Sequence, residues 1–139
     1  MMAQDCRELA RDVELPWKDL QGKAVVVTGA TGLIGKTLVG TLLAREDEFA
    51  AGTTVCVLVR DAQKAHALFG EFDALRVVTW DAARPFDGLE GVERANFIFH
   101  CANMTSSAAF VERPVDVIGT TIGGAHAMLE LARKTGASL

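Results

Sequence analysis

The sequence predicts an α/β fold, a doubly wound parallel sheet truncated after about four strands. Three observations carry that prediction. From Lys23 onward, short apolar runs rich in Val, Ile and Phe alternate with stretches of helical periodicity. The runs are continuously apolar, as suits strands covered on both faces. The first run feeds three glycines within seven residues, Gly29, Gly32 and Gly35, where a helical pattern begins at once.

Taken in order, Gln4 to Val13 is charged, with Leu9 and Val13 at helical spacing, and predicts a short amphipathic helix. Pro16-Trp17 breaks that pattern, and Trp17 with Leu20 is expected to pack against the domain. Residues 1–21 therefore read as an N-terminal arm and residues 22–139 as one partial domain. Its predicted strands are Ala24 to Thr28, Thr54 to Val59, Leu75 to Trp80 and Phe97 to Ala102. Leu33 to Ala44 predicts a helix with Ile34, Leu38 and Leu42 on one stripe. Asp61 is placed to cap a helix that runs to Phe69 and stops at Gly70. In the last helix Val115, Ile118, Ile122, Ala125, Leu129 and Ala132 recur at steps of three and four. Pro114 suits its first turn, and Lys134 and Gly136 supply a cation and a terminator at its end.

Bulk composition narrows the function. With 50% hydrophobic and 23% charged residues, the 139-residue chain is a folded domain rather than a disordered one. A net charge of −4 without a Lys/Arg block argues against nucleic acid as partner. Met1 to Leu20 has no long apolar run, so neither a secretion signal nor a membrane span is expected there, and the cytoplasm is the expected compartment. Cys6, Cys56 and Cys101 lie far apart with no metal-type pairing and read as small buried hydrophobes. No metal site is expected. The chain holds no tyrosine, so it cannot by itself complete a reaction that needs a phenolic acid/base.

The glycine spacing is G-x-x-G-x-x-G, one residue different from the G-x-G-x-x-G turn of Rossmann-like, NAD(P)-binding sheets. The mechanics are similar: one glycine permits the turn, another lets backbone approach phosphate, and the last lets helix pack close to strand. Helix-terminal amides then face a pyrophosphate. A competing pattern is a relaxed P-loop over Ala30 to Thr37, with Lys36 on the terminal phosphates and Thr37 on magnesium. No later strand ends persuasively in a magnesium-binding Asp.

Several segments together resemble the extended short-chain dehydrogenase/reductases, specifically the NAD-dependent epimerase/dehydratase family. Thr28-Gly29-Ala30-Thr31-Gly32-Leu33-Ile34-Gly35 is similar to the family's T-G-x-x-G-x-x-G turn. Trp80-Asp81-Ala82 resembles its adenine-contacting Asp and the residue after it. His100-Cys101-Ala102-Asn103 resembles its H-x-A-A segment beside the nicotinamide-side ribose. Gly124-Ala125 and Leu129-Glu130-Leu131-Ala132 resemble its G-T-x-N-x-L-E-A-A helix. The likeness runs from Gly22 to the end. Asn103 departs from the second Ala, Thr121 from a common Asn, and Ala125 and Ala127 from Thr and Asn.

The resemblance implies that Gly29, Thr31, Gly32, Leu33, Ile34 and Gly35 hold the pyrophosphate and that Asp81, with Ala82, takes the adenine. Cys101, Ala102 and Asn103 would line the trough beneath the ribose. It also implies that the family's catalytic Ser or Thr, its Tyr-x-x-x-Lys and its sugar-binding region lie past Leu139, leaving no catalytic residue here. The intact enzyme would act on a small-molecule nucleotide sugar. Val59-Arg60-Asp61 leaves NAD against NADP open, because a carboxylate there accepts from the ribose 2′-hydroxyl whereas Arg60 neutralises a 2′-phosphate; Arg60 leans to NADP. Two other readings stand beside this one: a non-catalytic NAD(P)-sensing module, and the P-loop protein. His66, His126, Trp17 and Trp80 read as surface or packing residues and His100 as a positioning residue. Thr105, Ser106 and Ser107 are expected to cap a helix or border substrate. A bare apolar edge along Phe97 to Ala102 predicts a homo-oligomer.

Overall fold

The computed structural model describes residues 4–83 and 91–139. Helices α1 (Gln4–Arg11) and α2 (Trp17–Leu20) precede strand β1 (Ala24–Thr28), followed by α3 (Leu33–Phe49) and β2 (Thr54–Val59). Then come α4 (Ala62–Phe69), β3 (Leu75–Thr79), β4 (Phe97–His100), α5 (Ser107–Glu112) and α6 (Pro114–Thr135). The four strands form one parallel sheet in the order β3-β2-β1-β4. Strand order reverses at β1, so a crevice opens between the carboxyl ends of β1 and β4.

Alternation along the valine runs sends neighbouring side chains to opposite faces. Val25, Val27, Val55, Val57 and Val59 pack with Val39, Leu42, Leu43, Ala65 and Phe69 of α3 and α4. Val26, Cys56, Leu58 and Ile98 pack with Ala127, Met128 and Leu131 of α6. Each fully buried valine stabilises by roughly 1.5 kcal/mol or more, so the central strands anchor the fold. The sheet is therefore wound on both faces, as the continuous apolar runs require.

β1 and β2 match their expected bounds, while β3 and β4 end earlier, at Thr79 and His100. Asp61 caps α4 by accepting from the Lys64 amide at 2.9 Å, and Gly70 ends it at φ +77°. Pro114 begins α6 and Gly136 closes it in the left-handed region.

Two helix faces differ from expectation. On α6 the buried residues are Val117, Gly124, Ala127, Met128 and Leu131, whereas Val115, Ile118, Ile122 and Leu129 are exposed. The reason is close packing: a Cβ at Gly124 would lie 3.1 Å from His100 Cε1 and 3.2 Å from Ala82 Cβ. Small residues let the helix approach the sheet, and bulk is left outside. On α3, likewise, Ile34 is 72% exposed while Gly35, Val39, Leu42 and Leu43 are buried.

α1 lies against α3 by the same device. Cys6 and Ala10 are buried, and a Cβ at Gly40 would meet Cys6 Sγ at 2.9 Å. Leu9 and Val13, expected at helical spacing on one amphipathic helix, are exposed, and Val13 lies beyond the helix. Arg45 donates to the Ala10 carbonyl at 2.8 Å and stacks on Trp17 and Phe49. Trp17 and Leu20 pack against the α3 side of the core. The outer edge of β4 is not bare: Ser138 bridges Phe97 in parallel, and the Ile98 amide donates to the Ser138 carbonyl at 2.8 Å.

Candidate functional site

At the end of β1 the chain turns at Gly29, whose φ of +63° favours glycine. The Gly32 amide donates to the Gly29 carbonyl at 2.9 Å, and Gly32 becomes the N-cap of α3. No side chain caps this helix, so the first-turn amides of Leu33, Ile34 and Gly35 keep their hydrogens for a ligand. A Cβ at Gly29 would stand 2.6 Å from the Cys101–Ala102 backbone, and one at Gly35 would collide with the Gly29 carbonyl. Gly32 is constrained differently. Its backbone is extended, and a Cβ there would meet only the Gly29 carbonyl oxygen, at 3.1 Å.

Around this turn lies a cleft of about 660 Å³ over the carboxyl ends of the sheet. Gly29, Thr31, Gly32, Arg60, Asp81, Ala82, Cys101, Ala102 and Asn103, all singled out from sequence, line it together. Leu33, Ile34 and Gly35 do not. The side chains of Leu33 and Ile34 face an apolar groove with Leu9, Trp17 and Phe99, so these residues offer the cleft backbone amides alone. Lys36 does not line the cleft, and Thr37 lies in the apolar groove with its hydroxyl turned back to Leu33 O at 3.3 Å. That geometry does not suit a P-loop lysine and magnesium-binding threonine.

The cleft is also lined by Arg60 and Lys64, whereas Asp61 is not among its lining residues and caps α4 through one carboxylate oxygen. Asp81 holds the Ala83 amide at 3.0 Å through one oxygen and has the other for a ligand. Near β4 the hydroxyl of Thr28, fully buried, accepts from the Ala102 amide at 3.1 Å and meets His100 Nδ1 at 2.8 Å. Burial lowers the His100 pKa and raises that of Cys101. Burial pushes the Cys56 thiol up to about 11, and all three cysteines are free.

Met104, Arg113, Asp116 and Thr120 also line the cleft and were not singled out from sequence. Ser106 occupies the N-cap position of α5 without making a side-chain cap bond. Among the described residues no cluster of His, Cys, Asp or Glu could hold a metal, and no helix is long and apolar enough to cross a membrane.

A parallel sheet with a glycine turn, an uncapped helix N-terminus and a crevice at the strand-order reversal defines the Rossmann-like dinucleotide-binding proteins. Among solved structures, Pen from Bacillus thuringiensis is 21% identical, with TM-score 0.70 over 85% of this chain and 36% of its own. Epimerase Mth375 from Methanothermobacter thermautotrophicus is 23% identical, with TM-score 0.69 over 96% of this chain and 36% of its own. The UDP-glucose 4-epimerase of Thermus thermophilus, solved with NAD, is 29% identical, with TM-score 0.58 over 82% and 35%. The chain thus spans about a third of the length of these structures. No curated protein sequence matches it. Residues 25–139 match the NAD dependent epimerase/dehydratase family, and the chain belongs to that family.

Proposed function

We propose that this chain is the cofactor-binding portion of a cytoplasmic oxidoreductase acting on a nucleotide sugar by epimerisation, dehydration or decarboxylation. The observation that carries the reading is the uncapped α3 N-terminus at Gly32, opening into a 660 Å³ cleft at the switch point of the sheet. The Thermus relative's complex with NAD supports it.

In this reading the amides of Leu33, Ile34 and Gly35 take the pyrophosphate, helped by the positive end of the helix dipole, while Gly32, its own amide held by the Gly29 carbonyl, lets the backbone come close to the phosphates. Asp81 accepts from the adenine amino group. Arg60 and Lys64 favour NADP over NAD, because both cations line the cleft and offer a 2′-phosphate charge-assisted contacts, while Asp61 does not line it. Cys101, Ala102 and Asn103 floor the nicotinamide end. The bound nicotinamide would supply hydride acceptance and return. With no tyrosine in the chain, proton transfer falls to groups outside it, so the chain binds cofactor but turns nothing over.

Titration calorimetry with NAD, NADP and ATP tests this. NADP is expected to bind more tightly than NAD, and ATP to show no magnesium-dependent binding. Absence of heat with both dinucleotides would overturn the reading, as would turnover of a nucleotide sugar by the chain alone.

A further inference from the structure

Asn103 sits just past β4 at the mouth of the cleft, and its carboxamide is held in one orientation. The Met104 amide lies 2.8 Å from Asn103 Oδ1, and the Thr121 hydroxyl of α6 lies 2.8 Å from the same atom. A backbone N–H can only donate, so the atom facing it is the carboxamide oxygen. Thr121 shares its single proton between that oxygen and the Val117 carbonyl, also at 2.8 Å. A third contact steadies the same loop: the Thr120 hydroxyl meets Met104 Sδ at 3.6 Å. With Oδ1 doubly engaged, Nδ2 and its two hydrogens lie on the opposite side of the carboxamide, and Asn103 lines the cleft.

We infer that Asn103 is a binding residue that donates through Nδ2 to an oxygen of the nicotinamide riboside half of the dinucleotide, with Thr121 as its positioning residue. The assignment to that half follows from layout. Arg60, Lys64 and Asp81 occupy the β2–β3 end of the cleft, while Asn103 follows β4 on the far side of the Gly29 turn. The donor is preorganised, because its oxygen is tied to both the loop and α6 before any ligand arrives. Asp116 and Thr120 are the α6 groups nearest in sequence that also line this end, and neither supplies a fixed amide donor. The inference rests on the dinucleotide reading above.

The test compares two ligands on one protein: NADP, which spans both halves, and adenosine 2′,5′-bisphosphate, which carries the adenine half alone. Asn103→Ala is expected to weaken NADP about fivefold to tenfold, the loss of one aligned hydrogen bond, and to leave the bisphosphate unchanged. Asn103→Asp keeps an oxygen toward Met104 and Thr121 and removes both donors, so it carries the test if the alanine variant fails to fold. Thr121→Ser retains wild-type affinity. Unchanged NADP binding in the Asn103 variants overturns the inference and leaves the dinucleotide reading standing, as does equal weakening of both ligands, which marks a merely structural role. Failure of the wild-type chain to bind either ligand overturns both.

Discussion

The Thr28 hydroxyl lies 2.8 Å from His100 Nδ1 while accepting from the Ala102 amide at 3.1 Å, so one buried group ties the ends of β1 and β4. These are the two strands between which the cleft opens. The hydroxyl can accept from the amide and still pair with Nδ1 in either direction, the imidazole tautomer setting which of the two donates. Replacing Thr28 by Val keeps shape and removes both bonds. It strands a buried amide, and a loss of about 1–3 kcal/mol is expected in denaturant unfolding, against little loss for Thr28→Ser. Equal stability of the Val variant would show that the hydroxyl bears no such role.

The same histidine makes stability depend on pH. Burial lowers its pKa below the ordinary value near 6.5, so the unfolded chain takes up the proton more readily than the folded one. Stability is therefore full above about pH 6.5 and declines as pH falls through the window down to the folded value. A flatter profile between pH 7.5 and pH 5.5 is expected for His100→Gln. Indistinguishable profiles for the two proteins would contradict the assignment.

The three glycines of the turn separate by role. At Gly29 a Cβ meets backbone at 2.6 Å with φ at +63°, and at Gly35 it collides with the Gly29 carbonyl. Alanine at either is expected to destabilise by about 2 kcal/mol or more, through a strained backbone and an overpacked junction. Gly32 tolerates alanine in the fold with a shift of a few tenths of an ångström, since its backbone is extended. There the expected loss is in NADP affinity, where the methyl group crowds the phosphate. A Gly32→Ala protein that melts early yet binds normally would reverse this division.

Much of this was legible in the sequence, and what was not has a common cause. The valine runs of β1 and β2 revealed their bounds because each is flanked by a polar or glycine residue. Asp61 and Gly70 gave the limits of α4 because capping is local chemistry. Helix faces were misread because the contact sides of α3 and α6 use Gly35, Gly40, Gly124 and Ala127, and small residues carry no hydrophobic signal. Arg113 and Asp116 reach the cleft through the path of the α5–α6 turn, a tertiary fact without a local signature.

On the proposed reading, cofactor choice turns on the neighbouring side chains Arg60 and Asp61, which are of opposite sign. Asp61 caps α4 through one oxygen at 2.9 Å from the Lys64 amide and does not line the cleft, whereas Arg60 and Lys64 do. Arg60→Ala is expected to weaken NADP about tenfold and leave NAD nearly unchanged, as loss of one charge-assisted phosphate contact. Calorimetric titration of both dinucleotides reads this directly. Equal weakening of the two would place Arg60 on a feature they share, such as the pyrophosphate.

Self-association is expected from a face rather than from an edge. The outer side of β4 already meets Ser138 at Phe97, which blunts strand-to-strand pairing there. By contrast α6 exposes Val115, Ile118, Ile122 and Leu129, and α5 exposes Phe110 and Val111. These residues recur at helical steps, so a second copy laid along α6 in antiparallel fashion would bury matching apolar stripes by two-fold symmetry. Paired Ile118→Lys and Ile122→Lys substitutions replace exposed side chains and are expected to shift sedimentation from dimer to monomer, and to match the wild-type unfolding midpoint at dilutions where both proteins are monomeric. A wild-type chain that sediments as a monomer at high concentration would remove the basis for a paired α6 face.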